Sequence, residues 1–297
     1  MSEETRLIIV SGLSGSGKSV ALHTLEDLGY YCIDNLPVAL LTSLLQELTN
    51  AEDQSITRIA VSVDARNPHH DIDSLPEVIA ELRSNSVRTD VLFLQTSDDV
   101  LLTRYSESRR RHPLAGHGKE LRTAITHERE LLGQIINLAD LIIDTTKSSV
   151  YELGNTIRER VDRRHSNVLS VLIESFGFKH GIPADADFVF DLRCLPNPYW
   201  QPELRPLTGL DQPVAEFLDA DELFAQMYDD ILAFLTRWIP RYVSFDRGYL
   251  TVAIGCTGGQ HRSVHMTEKL ASALKKTHDP VLTRHSELIS QTAEATP

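Results

Sequence analysis

The chain has 297 residues, 41% of them hydrophobic, and a net charge of −13. That much apolar material supports one large or two ordinary cores and excludes a disordered chain. The acidic balance excludes a protein that grips nucleic acid over its whole surface, so any such contact must be local.

The elements read as follows in chain order. Leu7–Val10 is a short buried strand. It feeds Gly12-Leu13-Ser14-Gly15-Ser16-Gly17-Lys18-Ser19, a match to the phosphate-binding pattern G-x-x-x-x-G-K-[ST]. A helix from Ser19 to Leu28 follows and stops at Gly29. Tyr31-Cys32-Ile33 is a second strand ending in Asp34; Asn35 is expected to cap the next helix, whose apolar face runs from Leu40 to Leu48. Ile59–Val63 is a third strand, ending in Asp64, and Ile72 to Leu82 a weaker helix. Val91–Leu94 is a fourth strand, and a helix from Ser97 runs into Arg109-Arg110-Arg111-His112-Pro113. Leu121, Ile125, Leu131, Leu132, Ile135 and Ile136 mark one amphipathic helix. Leu141–Ile143 is a fifth strand, ending in Asp144, and Val150 to Val161 a closing helix. Strand–helix alternation of this kind predicts a parallel sheet with helices on both faces, with ligands at the carboxyl ends of the strands.

A charged stretch, Arg158–Asn167, separates domains predicted over 1–162 and 166–297. The second is also α/β, with strands at Val168–Ile173, Phe188–Phe190 and Leu250–Ile254 and helices at Glu216–Trp238 and Val264–Lys275. Cys32, Cys194 and Cys256 show no metal spacing and fit a reducing compartment. The opening Met-Ser-Glu-Glu-Thr-Arg reads as lacking a signal peptide, and no run approaches the ~20 apolar residues of a membrane span. A cytoplasmic protein without a membrane partner is expected.

In the first domain the glycines of Gly12–Ser19 let the backbone curl around phosphate oxygens. Lys18 supplies charge near the β/γ-phosphates, and Ser19 a hydroxyl for Mg²⁺. Asp64 ends its strand where a metal-side aspartate belongs, and Asp34 is its rival for that role. Asp64-Ala65-Arg66-Asn67 also suits a purine pocket, since a carboxylate there can accept the N–H groups of guanine. Arg104, Arg109, Arg110 and Arg111 read either as a lid neutralising a transferred phosphoryl group or as a solvated helix end. In the second domain Gly255–Ser263 is another strand–loop–helix element suited to an anion, with Thr257, Gly258, Gly259, Arg262 and Ser263 as its polar set and Lys179 and His180 as additions. Cys256-x₅-Arg262 also matches the loop of cysteine-dependent phosphatases, a reading weakened because no separate general acid can be picked out, and a plain structural turn is the third reading.

The chain closely resembles the RNase adapter protein RapZ family of bacterial nucleotide-binding proteins. The resemblance rests on Val10–Ser19, Asp34-Asn35-Leu36-Pro37, Glu174–Pro183, Leu195-Pro196-Asn197-Pro198 and Gly255–Ser263. It implies a P-loop kinase-like N-terminal domain that binds ATP and GTP and hydrolyses both weakly, with the purine-triphosphate motifs on Gly12–Ser19 and Asp64–Asn67. It implies a C-terminal sugar-phosphate pocket, for glucosamine-6-phosphate in enteric members, with Thr257, Gly258 and Arg262 on its motif. Enteric members also present a small regulatory RNA to an endoribonuclease, controlling amino-sugar synthesis.

Two features depart from that pattern. Asp279 to Pro297 carries Arg284 as its one formal cation where enteric members have a basic RNA-contacting tail, and Tyr199 replaces a histidine. Other cations that could serve RNA are Arg158, Arg160, Arg163, Arg164, Lys275 and Lys276. The expectation is a nucleotide-dependent regulator with a metabolite sensor, assembled as a homo-oligomer. A small-molecule kinase and a phosphatase at Cys256 are the alternatives.

Overall fold

The computed structural model describes residues 5–49, 56–108, 111–115, 120–162, 169–245 and 247–288. The chain forms two compact units, Met1–Arg163 and Arg164–Pro297.

The first unit runs β1 (Arg6–Gly12), α1 (Lys18–Asp27), β2 (Tyr31–Ile33), α2 (Leu41–Thr49), β3 (Arg58–Ser62), α3 (His69–Ser84), β4 (Arg88–Gln95), α4 (Asp98–Ser108), α5 (Leu121–Leu131), α6 (Gly133–Leu138), β5 (Leu141–Asp144) and α7 (Val150–Ile157). Its five strands pair in parallel in the order β2-β3-β1-β4-β5. β1 is buried along its whole length because parallel strands are covered on both faces. Leu7, Ile8, Ile9 and Val10 are each 0% exposed, and each contributes about 1.5–3 kcal/mol by leaving water. The central position of β1 places the loop after it in the crevice at the strands' carboxyl ends.

The second unit runs β6 (Ser170–Gly177), β7 (Phe188–Asp191), α8 (Gln212–Asp219), α9 (Glu222–Ser244), β8 (Tyr249–Cys256), α10 (Arg262–Leu274) and β9 (Val281–His285). Its four strands are parallel, in the order β7-β8-β6-β9. The inner strands β6 and β8 are buried throughout, and α10 packs its Met266, Leu270 and Leu274 into the same core.

Several boundaries differ from the sequence expectation for local reasons. The single helix expected over Leu121–Ile136 is two, because the backbone turns at Leu132 before Gly133. The helix expected over Glu216–Trp238 is also two; Asp221 starts the second, its Oδ1 accepting the Phe224 N–H at 2.9 Å. Asn35 caps no helix. It adopts φ +54°, and the helical turn that follows begins at Val38. The closing helix ends at Ile157 and continues as one wider turn over Arg158–Asp162.

Part of the expected tail is strand β9, which pairs with β6. Arg284 is therefore no tail cation. It donates to the fully buried Glu174 at 2.8 Å and lies 3.3 Å from Asp185. Burial pushes its pKa down, but the two carboxylates outweigh that and raise it. Arg160 is 3% exposed and does not face solvent as an RNA-binding cation must. Arg163, Arg164 and the residues after Leu288 lie outside the described residues.

Candidate functional site

The phosphate loop spans the end of β1 and the start of α1. Gly12 has φ +138°, and a Cβ there would lie 2.1 Å from the Leu94 carbonyl oxygen on β4, so only glycine fits. Gly17 begins α1 at φ +110° with no side chain capping it, and no acidic residue occupies the first turn. The helix thus offers its free N–H groups and positive dipole end to an anion. The Lys18 ammonium donates to the Gly12 and Leu13 carbonyls at 2.7 and 3.2 Å, lying back along the loop. Burial lowers its pKa, opposed mainly by the fields of Asp64 and Glu128. Ser19 is exposed in the first turn of α1.

The β4–β5 side of the loop is fastened by Glu128 and Thr145, which the sequence reading missed, and by Arg104, which it read as part of a lid or of a solvated helix end. Glu128 of α5, 0% exposed, accepts the Ser14 amide at 2.9 Å and the Ser14 hydroxyl at 2.6 Å. The same carboxylate lies 3.0 Å from His112 Nε2. Burial raises the Glu128 pKa, but the His112 and Ser14 hydrogen bonds outweigh it and hold the group below its usual range. A signal was present in the sequence: Glu128 falls on the stripe of Ala124, Ile125 and Leu132, where an amphipathic helix should be apolar. Thr145, after β5, donates to the Ser16 carbonyl at 2.9 Å. Arg104 donates to Gly15 O at 2.9 Å and to Thr145 O at 2.8 Å. Arg111 is exposed, and Arg109 and Arg110 lie outside the described residues.

The β2–β3 side is polar. Asp64 is 2% exposed, and Arg66 clasps it through Nε at 3.0 and 3.1 Å and Nη2 at 2.7 Å. Burial pushes the Asp64 pKa up; the Arg66 side chain, its amide and Lys18 outweigh this and lower it. Both Asp64 oxygens are thus engaged by its own tetrapeptide, while Asn67 Oδ1 accepts the Val38 N–H at 3.1 Å. Asp34 lies on the same guanidinium, 3.6 Å from Arg66 Nη2, with a side chain 61% exposed.

Among the described residues, no group of three or more His, Cys, Asp or Glu could hold a metal alone. A nucleotide-bound Mg²⁺ takes most of its ligands from phosphate and water oxygens. The hydroxyl of Ser19 and the carboxylate of Asp64 are hard oxygen donors that fit such an ion, provided Arg66 yields.

In the second unit the loop Thr257–His261 joins β8 to α10. It packs backbone to backbone against the end of β6: Cβ atoms at Gly177 and Gly259 would lie 2.8 Å from Gly258 C and 2.6 Å from Gly177 N. The Lys179 N–H donates to Thr257 O at 3.3 Å, which brings the two predicted loops together. His180 instead turns to Glu287, 3.1 Å away. Arg262 is 3% exposed and donates through Nη1 to the Leu192, Arg193 and Leu195 carbonyls at 3.3, 3.2 and 2.8 Å. Only its Nη2 reaches the loop, 3.4 Å from Thr257 Oγ1. Cys256 is 2% exposed; its sulfur accepts the Gly259 N–H at 3.2 Å and sits 3.2 Å from Ser263 Oγ. Gly258 has open space around it.

The chain matches two family models, the RapZ-like N-terminal domain over residues 5–165 and the RapZ C-terminal domain over residues 169–289. It belongs to the RapZ family. Among RapZ-family relatives, it is 51% identical over 283 residues to a nucleotide-binding protein of Pseudomonas fluorescens Pf0-1, covering 95% of this chain and 99% of the relative. It is 52% identical over 283 residues to a nucleotide-binding protein of Halorhodospira halophila, covering 95% and 98%. Among solved structures it is similar to a shikimate kinase from Acinetobacter baumannii, at 18% identity and a TM-score of 0.36, covering 53% of this chain and 93% of that one.

Proposed function

We propose that this RapZ-family chain binds a Mg²⁺-nucleoside triphosphate, ATP or GTP, at Gly12–Ser19 and hydrolyses it slowly. The observation that carries the reading is the uncapped start of α1 behind Gly17, with Lys18 laid along the same loop. Lys18 then swings from the loop carbonyls to the β/γ-phosphates, Ser19 and Asp64 hold the ion, and Arg104 steadies the loop. The names of the relatives support a nucleotide as ligand. Residues 1–162 form the nucleotide domain and residues 166–297 a sensor domain, in a cytoplasmic homo-oligomer.

The sensor ligand is a phosphorylated amino sugar, glucosamine-6-phosphate, held by loop N–H groups around Gly258 and Gly259 with Thr257 and Arg262. The buried, hydrogen-bonded Cys256 sulfur gives the phosphatase reading no support. An adapter role toward a small regulatory RNA and an endoribonuclease would place RNA on exposed cations such as Arg158, Lys275 and Lys276.

Calorimetric titration of the full chain with Mg·ATP, Mg·GTP and glucosamine-6-phosphate tests this directly. Nucleotide binding lost in Lys18→Ala, with sugar-phosphate binding retained, supports both halves. A folded chain that binds neither nucleotide refutes the first.

A further inference from the structure

We propose that the carboxyl ends of β2 and β3 form a second subsite beside the phosphate loop, for a hydroxyl-bearing small molecule that accepts the γ-phosphoryl group. This rests on the nucleotide reading above. It adds a second substrate and names Asp34 as the group that touches its reacting hydroxyl.

Asp34 bonds to Ser62 and pairs with Arg66 yet leaves most of its side chain in solvent. It caps no helix: the turn that follows begins at Val38, whose N–H goes to Asn67. Among the described residues its bonds go to Ser62 and to Arg66, the latter 3.6 Å away. Ser62, itself 0% exposed, donates its hydroxyl proton to Asp34 Oδ1 at 2.5 Å and accepts the Asn35 N–H at 2.6 Å. The carboxylate is thus fixed at one oxygen while 61% of the side chain faces solvent. Asn35 adopts φ +54° and brings Oδ1 within 3.5 Å of Asn67 Nδ2. An acceptor carboxylate, a guanidinium and amide side chains are the groups that recognise several hydroxyls at once.

Position argues the same way. Val63, next to Asp64, donates its N–H to Val10 O at 3.0 Å where β1 runs into the phosphate loop, and Arg66 spans Asp64 and Asp34, so the subsite borders that loop. On the β4–β5 side, Arg104, Thr145 and Glu128 already bond to the loop. Asp64 is buried and held by Arg66 Nη2 at 2.7 Å, whereas Asp34 is 61% exposed and 3.6 Å from the same nitrogen. The two carboxylates therefore divide the work: Asp64 faces the ion and Asp34 the nucleophile.

In the step itself the acceptor oxygen attacks the γ-phosphorus of the nucleoside triphosphate. The bond from that phosphorus to the β–γ bridging oxygen breaks, nucleoside diphosphate leaves, and the hydroxyl proton passes to the Asp34 carboxylate. With water in the subsite the same step is hydrolysis.

The test uses the full chain with Mg·ATP and glycerol as the probe acceptor, followed by phosphorus NMR. Wild type is expected to form glycerol phosphate beside inorganic phosphate, its share rising with glycerol. Asp34→Asn, an isosteric change at an exposed site, is expected to reduce glycerol phosphate by about 100-fold or more with Mg·ATP affinity unchanged. Ser62→Ala, which unties the carboxylate but keeps it, should fall between. Inorganic phosphate alone at every glycerol concentration, or glycerol phosphate undiminished in Asp34→Asn, would overturn the proposal. A folded chain that neither binds nor consumes Mg·ATP would instead remove the nucleotide reading beneath it.

Discussion

Glu128 holds Ser14 by both its amide and its hydroxyl, at 2.9 and 2.6 Å, across 114 residues of sequence. The phosphate loop is therefore shaped by a helix far from it in the chain. Glu128→Ala leaves the Ser14 amide and the fully buried His112 ring without their acceptor. Breaking a buried charged network from one side costs about 3–5 kcal/mol. Urea denaturation should show a loss of that order, with weakened nucleotide binding in whatever remains folded.

Acid should attack the same site. The pKa values of Glu128 and Asp64 lie below their ordinary values in the folded chain, because the donors around each carboxylate outweigh the effect of burial. A depressed carboxylate adds stability that is complete above its unfolded pKa and lost as pH falls through the folded one. The melting temperature should therefore hold near neutrality and drop as pH falls below the ordinary values of 4.5 and 3.8. In Asp64→Asn that acid slope should be shallower, and an unchanged slope would show that the Arg66 clasp does not stabilise the fold.

Arg104 of α4 ties the phosphate loop to the segment after β5, since it joins Gly15 O to Thr145 O. Hydrogen bonds from a charged donor contribute about 1.5–3 kcal/mol, and 1.4 kcal/mol is a factor of ten in affinity. Arg104→Ala should weaken Mg·ATP binding by about tenfold in a fluorescence titration, with little change in glucosamine-6-phosphate binding.

Gly12 admits no side chain. A Cβ at φ +138° would sit 2.1 Å from backbone oxygen of Leu94, which a parallel strand cannot yield cheaply. Gly12→Ala should destabilise the first unit by about 3 kcal/mol or more, read as a lower unfolding midpoint.

Thr257 and Arg262 should separate binding from stability. Arg262 gathers three carbonyl oxygens of the Leu192–Leu195 segment, so Arg262→Ala should lower both the melting temperature and glucosamine-6-phosphate affinity. Thr257, exposed at the loop entrance, carries no such load. Thr257→Ala should lose sugar-phosphate affinity at an unchanged melting temperature.

The parallel sheet of the first unit was legible because its central strand carries an unbroken apolar run, Leu7–Val10; in the second unit Leu250–Ile254 was legible as a strand, but not its parallel pairing. The phosphate loop was legible because glycine and lysine positions are fixed by backbone geometry. Glu128 was passed over although it falls on the apolar stripe of its helix, since a glutamate on a helix reads as solvated until its burial is known. β9 was hidden because Val281-Leu282-Thr283-Arg284-His285 has only a short apolar start; Arg284 lies there because Glu174 is buried opposite it. Which of Asp34 and Asp64 is buried under Arg66 was also unreadable, because both follow strands and only packing separates them.

Hydrogen–deuterium exchange of the full chain with a non-hydrolysable ATP analogue and Mg²⁺ distinguishes a nucleotide held on the phosphate loop from one held elsewhere. Exchange is expected to slow at the amides of Gly15–Ser19, with Thr257–Ser263 unaffected. Saturating binding that protects Thr257–Ser263 and leaves Gly15–Ser19 unchanged would contradict a nucleotide on the phosphate loop.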